Sequence, residues 1–275
     1  MFFDAPRTAP RGTRWLSRRP SPAATVLYCL PQAGFGQDQY VNWPAVAHGI
    51  EFCPLRFPGD DEPSWWDKHP EFADRAADLV ADLTHAESAR TARDYGGDPD
   101  RPPRTRQRRP YALFAHGVSA LIAYEAVAEL ERRGGPAPAR LFVSACPAPH
   151  RANTEQTRLP DEHDVQRLAL AACVETGGVP LPSQLETSVR AAIAEAEALL
   201  TYYPSERTRL ETPLTALSWS QHPGAGLEAG EQSMADWSHC GNVDFAALTG
   251  DEYEYVVNPA PLIRTLTDRL VPRGP

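Results

Sequence analysis

Lysine is nearly missing from this 275-residue chain: Lys68 is its single example, so the positive charge is carried almost wholly by arginine. Basic excess is missing too. The formal net charge is −9 and the isoelectric point is near 5.4, which argues against a bulk field for nucleic acid and leaves an anionic ligand to be met locally. No apolar run approaches the roughly 18 to 20 residues of a membrane helix, and the N-terminus, with Asp4 early, does not read as a signal peptide. The expectation is a soluble, cytoplasmic protein with neither nucleic-acid nor membrane partners. The five cysteines (29, 53, 146, 173 and 240) are odd in number and widely spaced, with no CxxC pair. A chain this long needs no disulfide staples, and His239 next to Cys240 does not make a zinc spacing, so free thiols and no metal or other cofactor are expected.

What is present is 42% hydrophobic residues, ample for one packed core. The run "ATVLYCL" (24–30) reads as a buried strand that opens into the glycine-containing loop "PQAGFGQ", and "IEFCPLRF" (50–57) reads as a second strand. Residues 72–86 carry Phe72, Ala76, Leu79, Val80 and Leu83 at helical spacing. "PYALFAHG" (110–117) is a strand, 118–135 a helix closed by glycines, and "ARLFVSACPAPH" (139–150) another strand. Two helical stretches fall in 160–203, strands are expected at 212–220 and 251–257, and a final helix at 261–271. Alternation of this kind means a parallel sheet covered by helices, with ligands beyond the carboxyl ends of the strands. Residues 1–22 read as a flexible arm. Residues 87–109, with seven arginines, three prolines and almost nothing apolar, read as a flexible loop.

The segment "FAHGVSALIAYE" (114–125) poses the functional question. A strand that turns sharply into a helix is where an α/β-hydrolase presents its nucleophile, between small neighbours. Here the central residue is Gly117.

"LYCLPQAG", "LRFPG", "RPYALFAHGVSALIAYEA", "LFVSACPAPH" and "PLTAL", in this order, resemble the type II thioesterases of polyketide and nonribosomal peptide pathways, over roughly residues 24–271. The resemblance implies an α/β-hydrolase domain over 23–275, with a mostly parallel central sheet flanked by helices and a helical lid near 155–203. It also implies hydrolysis of acyl chains from carrier proteins by a Ser-His-Asp triad. All three triad positions depart from the family's pattern. The serine falls on Gly117, the aspartate near His222 in "LSWSQHPG", and the histidine on Glu252 in "TGDEYEY".

The oxyanion donors are backbone N–H groups, which survive side-chain change, and they map by resemblance to Ala33 and Val118. A carboxylate at Glu252 backed by an imidazole at His222 amounts to an exchanged pair, suited to enolising a carbonyl. His116, before the elbow glycine, is a further acid–base candidate. Asp60, Trp65 and Trp66 in "FPGDDEPSWWDKHPEF" border the mouth of the site in this fold, as ligand contacts or as packing under a lid. Ser119 is the one hydroxyl near the elbow that could serve as a shifted nucleophile.

Three readings stay open: a non-hydrolytic enzyme acting on a polyketide or peptide intermediate, free or on a carrier protein, by cyclisation, elimination or isomerisation; a non-catalytic acyl-chain or carrier-protein binding protein; and an editing thioesterase.

Overall fold

The computed structural model describes residues 14–18, 20–21, 25–32, 39–93, 110–152, 161–175, 179, 181–204, 209–220, 234–251 and 254–270. Seven strands form one sheet: β1 (Thr25–Cys29), β2 (Val46–Ala47), β3 (Ile50–Pro54), β4 (Tyr111–His116), β5 (Arg140–Ser144), β6 (Leu210–Trp219) and β7 (Gly241–Leu248), in the order β2-β3-β1-β4-β5-β6-β7. Only β2 runs antiparallel. The central strands β1, β4 and β5 are apolar on both faces because helices cover both faces. Leu113, Phe114, Leu141 and Phe142 have no solvent exposure at all. Parallel register, such as Phe114 opposite Phe142 and His116 opposite Ser144, brings the strand ends out at one edge.

The helices are α1 (Pro58–Asp61), α2 (Ser64–Lys68), α3 (Phe72–Arg93), α4 (Ser119–Arg132), α5 (Glu162–Glu175), α6 (Pro182–Leu200), α7 (Glu254–Val257) and α8 (Ala260–Leu270), with a 3-10 helix at Asp236–Cys240. Helices α3, α4 and α6 share one core with one face of the sheet, and α7 and α8 share a second core with the other. The pair α5–α6 lies between β5 and β6, inside the stretch expected to form a lid.

Three readings of the sequence need correction. The strand expected at 251–257 is instead the short helix α7, and the last strand is the edge strand β7 at 241–248. "DEYEYVV" alternates as a strand does. Its Tyr255 and Val256 are nevertheless adjacent and both buried, which a one-sided strand would not allow. "GNVDFAAL" is poor in strand formers, and as an edge strand it pairs on one side only.

The expected arm 1–22 does not hold for residues 14–18. Trp15 is fully buried, its backbone N–H donates to Asp82 Oδ2 at 2.7 Å and its indole N–H to Asp78 Oδ2 at 3.1 Å, while Leu16 bridges to Leu55. Nor does the expected loop begin at 87, since α3 runs to Arg93. Glu87 and Arg90 form a buried ion pair at 2.7 Å, and the Tyr28 hydroxyl donates to Glu87 at 2.7 Å, anchoring the helix where its composition has already turned polar. Residues 94–109 lie outside the described residues.

Candidate active site at the elbow

The strand-turn-helix segment forms as the sequence predicts, and the turn depends on its glycine. Gly117 sits at φ +60, in the left-handed region that side chains other than glycine rarely adopt. Its N–H donates to the Ser144 carbonyl at 2.8 Å, and its carbonyl accepts the Ala120 N–H at 3.0 Å as α4 begins. Ala145, next to Ser144, also lies at positive φ (+49). A non-glycine residue there carries backbone strain of order 1 to 2 kcal/mol, so at this edge of the sheet a strained alanine adjoins a turn that glycine makes without strain.

Gln32 occupies the space above the glycine. A Cβ added at Gly117 would lie 3.2 Å from Gln32 Nε2 and 3.3 Å from its Cδ. The carboxamide therefore stands where a nucleophile's side chain would project. Around it runs a buried polar network. The Gln32 N–H donates to Gln39 Oε1 at 3.3 Å, and the Tyr255 hydroxyl donates to the same oxygen at 2.6 Å and lies 3.4 Å from Gln32 Oε1. Tyr255 stacks on His116, ring centroids 4.3 Å apart, and His116 Nδ1 is 3.0 Å from Ser144 Oγ. The Trp219 indole N–H donates to that same Ser144 oxygen at 2.9 Å. A hydroxyl that accepts from Trp219 still has a proton for His116, which would make Nδ1 the acceptor.

Two side chains from the loop after β1 hold α7 in place: Asn42 Nδ2 donates to the Val256 carbonyl at 2.8 Å and Trp43 Nε1 to the Tyr255 carbonyl at 2.7 Å. The ends of β6 and β7 are joined as well, the Gly250 N–H donating to Ser220 Oγ at 3.1 Å.

Ser119 is fully buried and donates its hydroxyl proton to the Pro31 carbonyl. This bond ties α4 to the loop after β1, a packing role that accounts for a small hydroxyl residue there. Val118 stands at the N-terminus of α4, where the first N–H groups of a helix have no intrahelical acceptor, so its backbone suits an oxyanion donor. Ala33, His222 and Glu252 lie outside the described residues.

The remaining candidates sit apart from the elbow network. Trp65 is fully buried in an aromatic cluster with Trp15, Trp66 and His69, and its indole N–H donates to Asp78 at 3.0 Å. Its role is packing. Trp66 borders a cleft of about 1180 Å³ between α2 and the pair α5–α6, lined also by Arg75, Leu170, Leu185, Val189 and Ile193. Its Nε1 would lie 2.3 Å from a Cβ at Gly59, so only glycine fits beneath it. Asp60, in α1, has its carboxyl pushed up from 3.8 to about 6 by burial, which outweighs the opposing pull of the Arg56 charge.

Sequence reasoning named His116, Gly117 and Val118 but missed Gln39, Ser144, Trp219 and Tyr255. The tyrosine hid in a misread strand, and the others are ordinary residues until the sheet edge gathers them.

The comparisons with known proteins agree with this fold. A thioesterase domain model matches residues 103–269. The chain belongs to the thioesterase domain family. The medium-chain S-acyl fatty acid synthase thioesterase of Anas platyrhynchos is 25% identical over 225 residues, covering 77% of this chain and 79% of that protein. Thioesterase PikA5 of Streptomyces venezuelae is 24% identical over 227 residues, covering 81% and 73%. Among solved structures, the RedJ thioesterase from the prodiginine biosynthetic pathway of Streptomyces coelicolor superposes with a TM-score of 0.62 at 24% identity, over 98% of this chain and 96% of that one. The type II thioesterase YbtT of the yersiniabactin pathway gives 0.64 at 21%, over 96% and 95%. At these identities the solved structures establish the α/β-hydrolase fold of this thioesterase-family chain and not its reaction.

Proposed function

We propose that this chain is a non-hydrolytic member of the thioesterase family that works by acid–base catalysis on a late polyketide or peptide intermediate, free or carrier-bound. The observation that carries this reading is the elbow itself. Gly117 offers no nucleophile, Gln32 fills the space above it, and the nearby Ser119 hydroxyl is buried on the Pro31 carbonyl. Without a nucleophile there is no acyl-enzyme, and hydrolysis loses its usual route.

Support for the pathway class comes from relatives named as thioesterases of prodiginine and yersiniabactin biosynthesis. In this reading the N–H groups of Ala33 and Val118 hold the substrate carbonyl, Glu252 removes an adjacent proton and His222 orients Glu252. The neighbourhood of Glu252 favours the assignment: α7 begins two residues later, and its Tyr255 stacks on His116 beside the elbow. Retained oxyanion donors plus a carboxylate base suit cyclisation, elimination or isomerisation.

The test is incubation with the intermediate that accumulates when this gene is deleted. The expected product has unchanged mass or has lost water, and Glu252→Gln slows its formation by about 10²- to 10⁴-fold, the range of a general base. Full activity in Glu252→Gln rejects the base assignment.

The family match supports a second reading, an editing thioesterase. It requires Ser119 to leave the Pro31 carbonyl, and Ser119→Ala would abolish hydrolysis. The Gln32-filled elbow also suits a third reading, a binding protein, which would retain the intermediate unchanged.

A further inference from the structure

We infer that His150, Asp236 and His239 form a binding site for one zinc-class divalent cation, at the root of the two-helix insertion and separate from the elbow. One imidazole nitrogen from each histidine and one Asp236 oxygen all lie within 4.8 Å of one another. Two imidazoles and a carboxylate are a zinc-type donor set that leaves a fourth position for water. Bonds of about 2.0 to 2.1 Å place tetrahedral ligand atoms ~3.4 Å apart, so the exposed histidines need only small rotations.

The orientation of His239 is the independent observation. Its Nδ1 lies 3.0 Å from the Asp236 carbonyl, which can only accept, so Nδ1 carries the proton and Nε2 is left as the ligand atom. A backbone carbonyl that accepts from the other ring nitrogen is the arrangement that metal-bound histidines use.

The frame around the three side chains is already built. Trp237, fully buried between Asp236 and His239 in the 3-10 helix, donates its indole N–H to the Cys146 carbonyl at 2.8 Å and so joins that helix to the segment leaving β5. On the β5 side, the Arg151 N–H donates to the Ala148 carbonyl at 2.8 Å, closing the turn that presents His150. From the other side, Arg209 donates to the carbonyls of Ser238, His239 and Gly241. Arg151 opposes the ion, since its Nε lies 3.3 Å from Asp236 Oδ2 and its charge weakens the site. Cys240, though adjacent, is buried and lies outside the cluster of three. A bound ion would clasp the exit of β5, where α5–α6 departs, to the helix that leads into β7.

The test is calorimetric titration of the chelator-stripped full chain with zinc chloride. Expected are one ion per chain in the micromolar range, at least tenfold weaker binding in His150→Ala, His239→Ala and Asp236→Asn, and several-fold tighter binding in Arg151→Ala. All four side chains are partly or fully exposed, so the variants should fold. The unmutated protein supplies a second readout, because cobalt bound here should show d–d absorption without a thiolate charge-transfer band. Absence of saturable uptake, uptake that survives the His150→Ala/His239→Ala double change, or a thiolate band from cobalt would overturn the site.

Discussion

The elbow and the cleft beneath the two-helix insertion treat buried polar groups in opposite ways. At the elbow, Gln32, Gln39, His116, Ser144, Trp219 and Tyr255 are knit into one network across five segments of the chain. Under the insertion, the buried Trp66 Nε1 and Arg75 Nη1 have no hydrogen-bond partner among the described residues, although Arg75 reaches the carbonyls of His69, Pro70 and Ala194 through its other nitrogens. Arg75 also lies 5.0 Å over the Trp66 ring, and burial lowers its pKa to about 10, still a cation at neutral pH. Leu170, Val174 and Leu181 on or beside α5 and α6 are exposed. A satisfied network fixes one geometry, whereas unsatisfied donors and exposed apolar side chains belong to a surface that gains by rearranging or being covered. The difference assigns precision to the sheet edge and adaptability to the insertion.

The largest stability effect should come from outside both regions, in the clamp that fixes the chain beneath α2. Trp15→Ala empties a fully buried site and removes the bond to Asp78, so a loss of about 3 to 5 kcal/mol is expected in urea denaturation.

Next is the contrast between the two regions. Tyr255→Phe strips the buried Gln39 oxygen of its short bond and should cost about 1 to 3 kcal/mol, whereas Trp66→Phe deletes a donor that bonds to nothing described and should cost less than about 1.5 kcal/mol. Equal costs would break the comparison.

Gly117→Ser places a Cβ at φ +60 and against Gln32, for an expected loss of about 1 to 2 kcal/mol. Gln32→Ala in the same chain should recover the part due to the contact, as a double-mutant cycle would read.

The smallest effect is one of pH. Burial raises the Asp60 carboxyl from 3.8 to about 6, so the folded state favours its protonated form. The stability this contributes is present in full below about pH 4 and is lost as pH rises through about 6. Asp60→Asn should flatten the stability profile between those limits, by on the order of 1 kcal/mol after allowing for partial exposure.

Much of this architecture was legible in the sequence because the central strands are continuous apolar runs and the elbow is bounded by small residues. Thr25–Cys29, Tyr111–His116 and Arg140–Ser144 form as expected, and so do both insertion helices. The misreadings share a cause. Trp15 and Glu87 sit in polar or irregular sequence and are held by partners far along the chain, Asp82 for Trp15 and Tyr28 for Glu87. Tyr255 was visible as an aromatic residue, but its stacking on His116 depends on α7 being a helix. Neither the elbow network nor the His150–Asp236–His239 cluster has a local pattern, because each is assembled from segments that only the fold brings together.

The central claim is that the elbow carries no nucleophile, and intact-protein mass spectrometry after exposure to acyl thioesters tests it most directly. The protein is incubated with acyl-N-acetylcysteamine and acyl-carrier substrates, and its mass is read together with thioester hydrolysis. We expect no acyl adduct and hydrolysis near background, unchanged in Ser119→Ala and little improved in Gly117→Ser. An adduct on the native chain, or robust turnover that vanishes in Ser119→Ala, would contradict the account and establish a thioesterase with a displaced nucleophile.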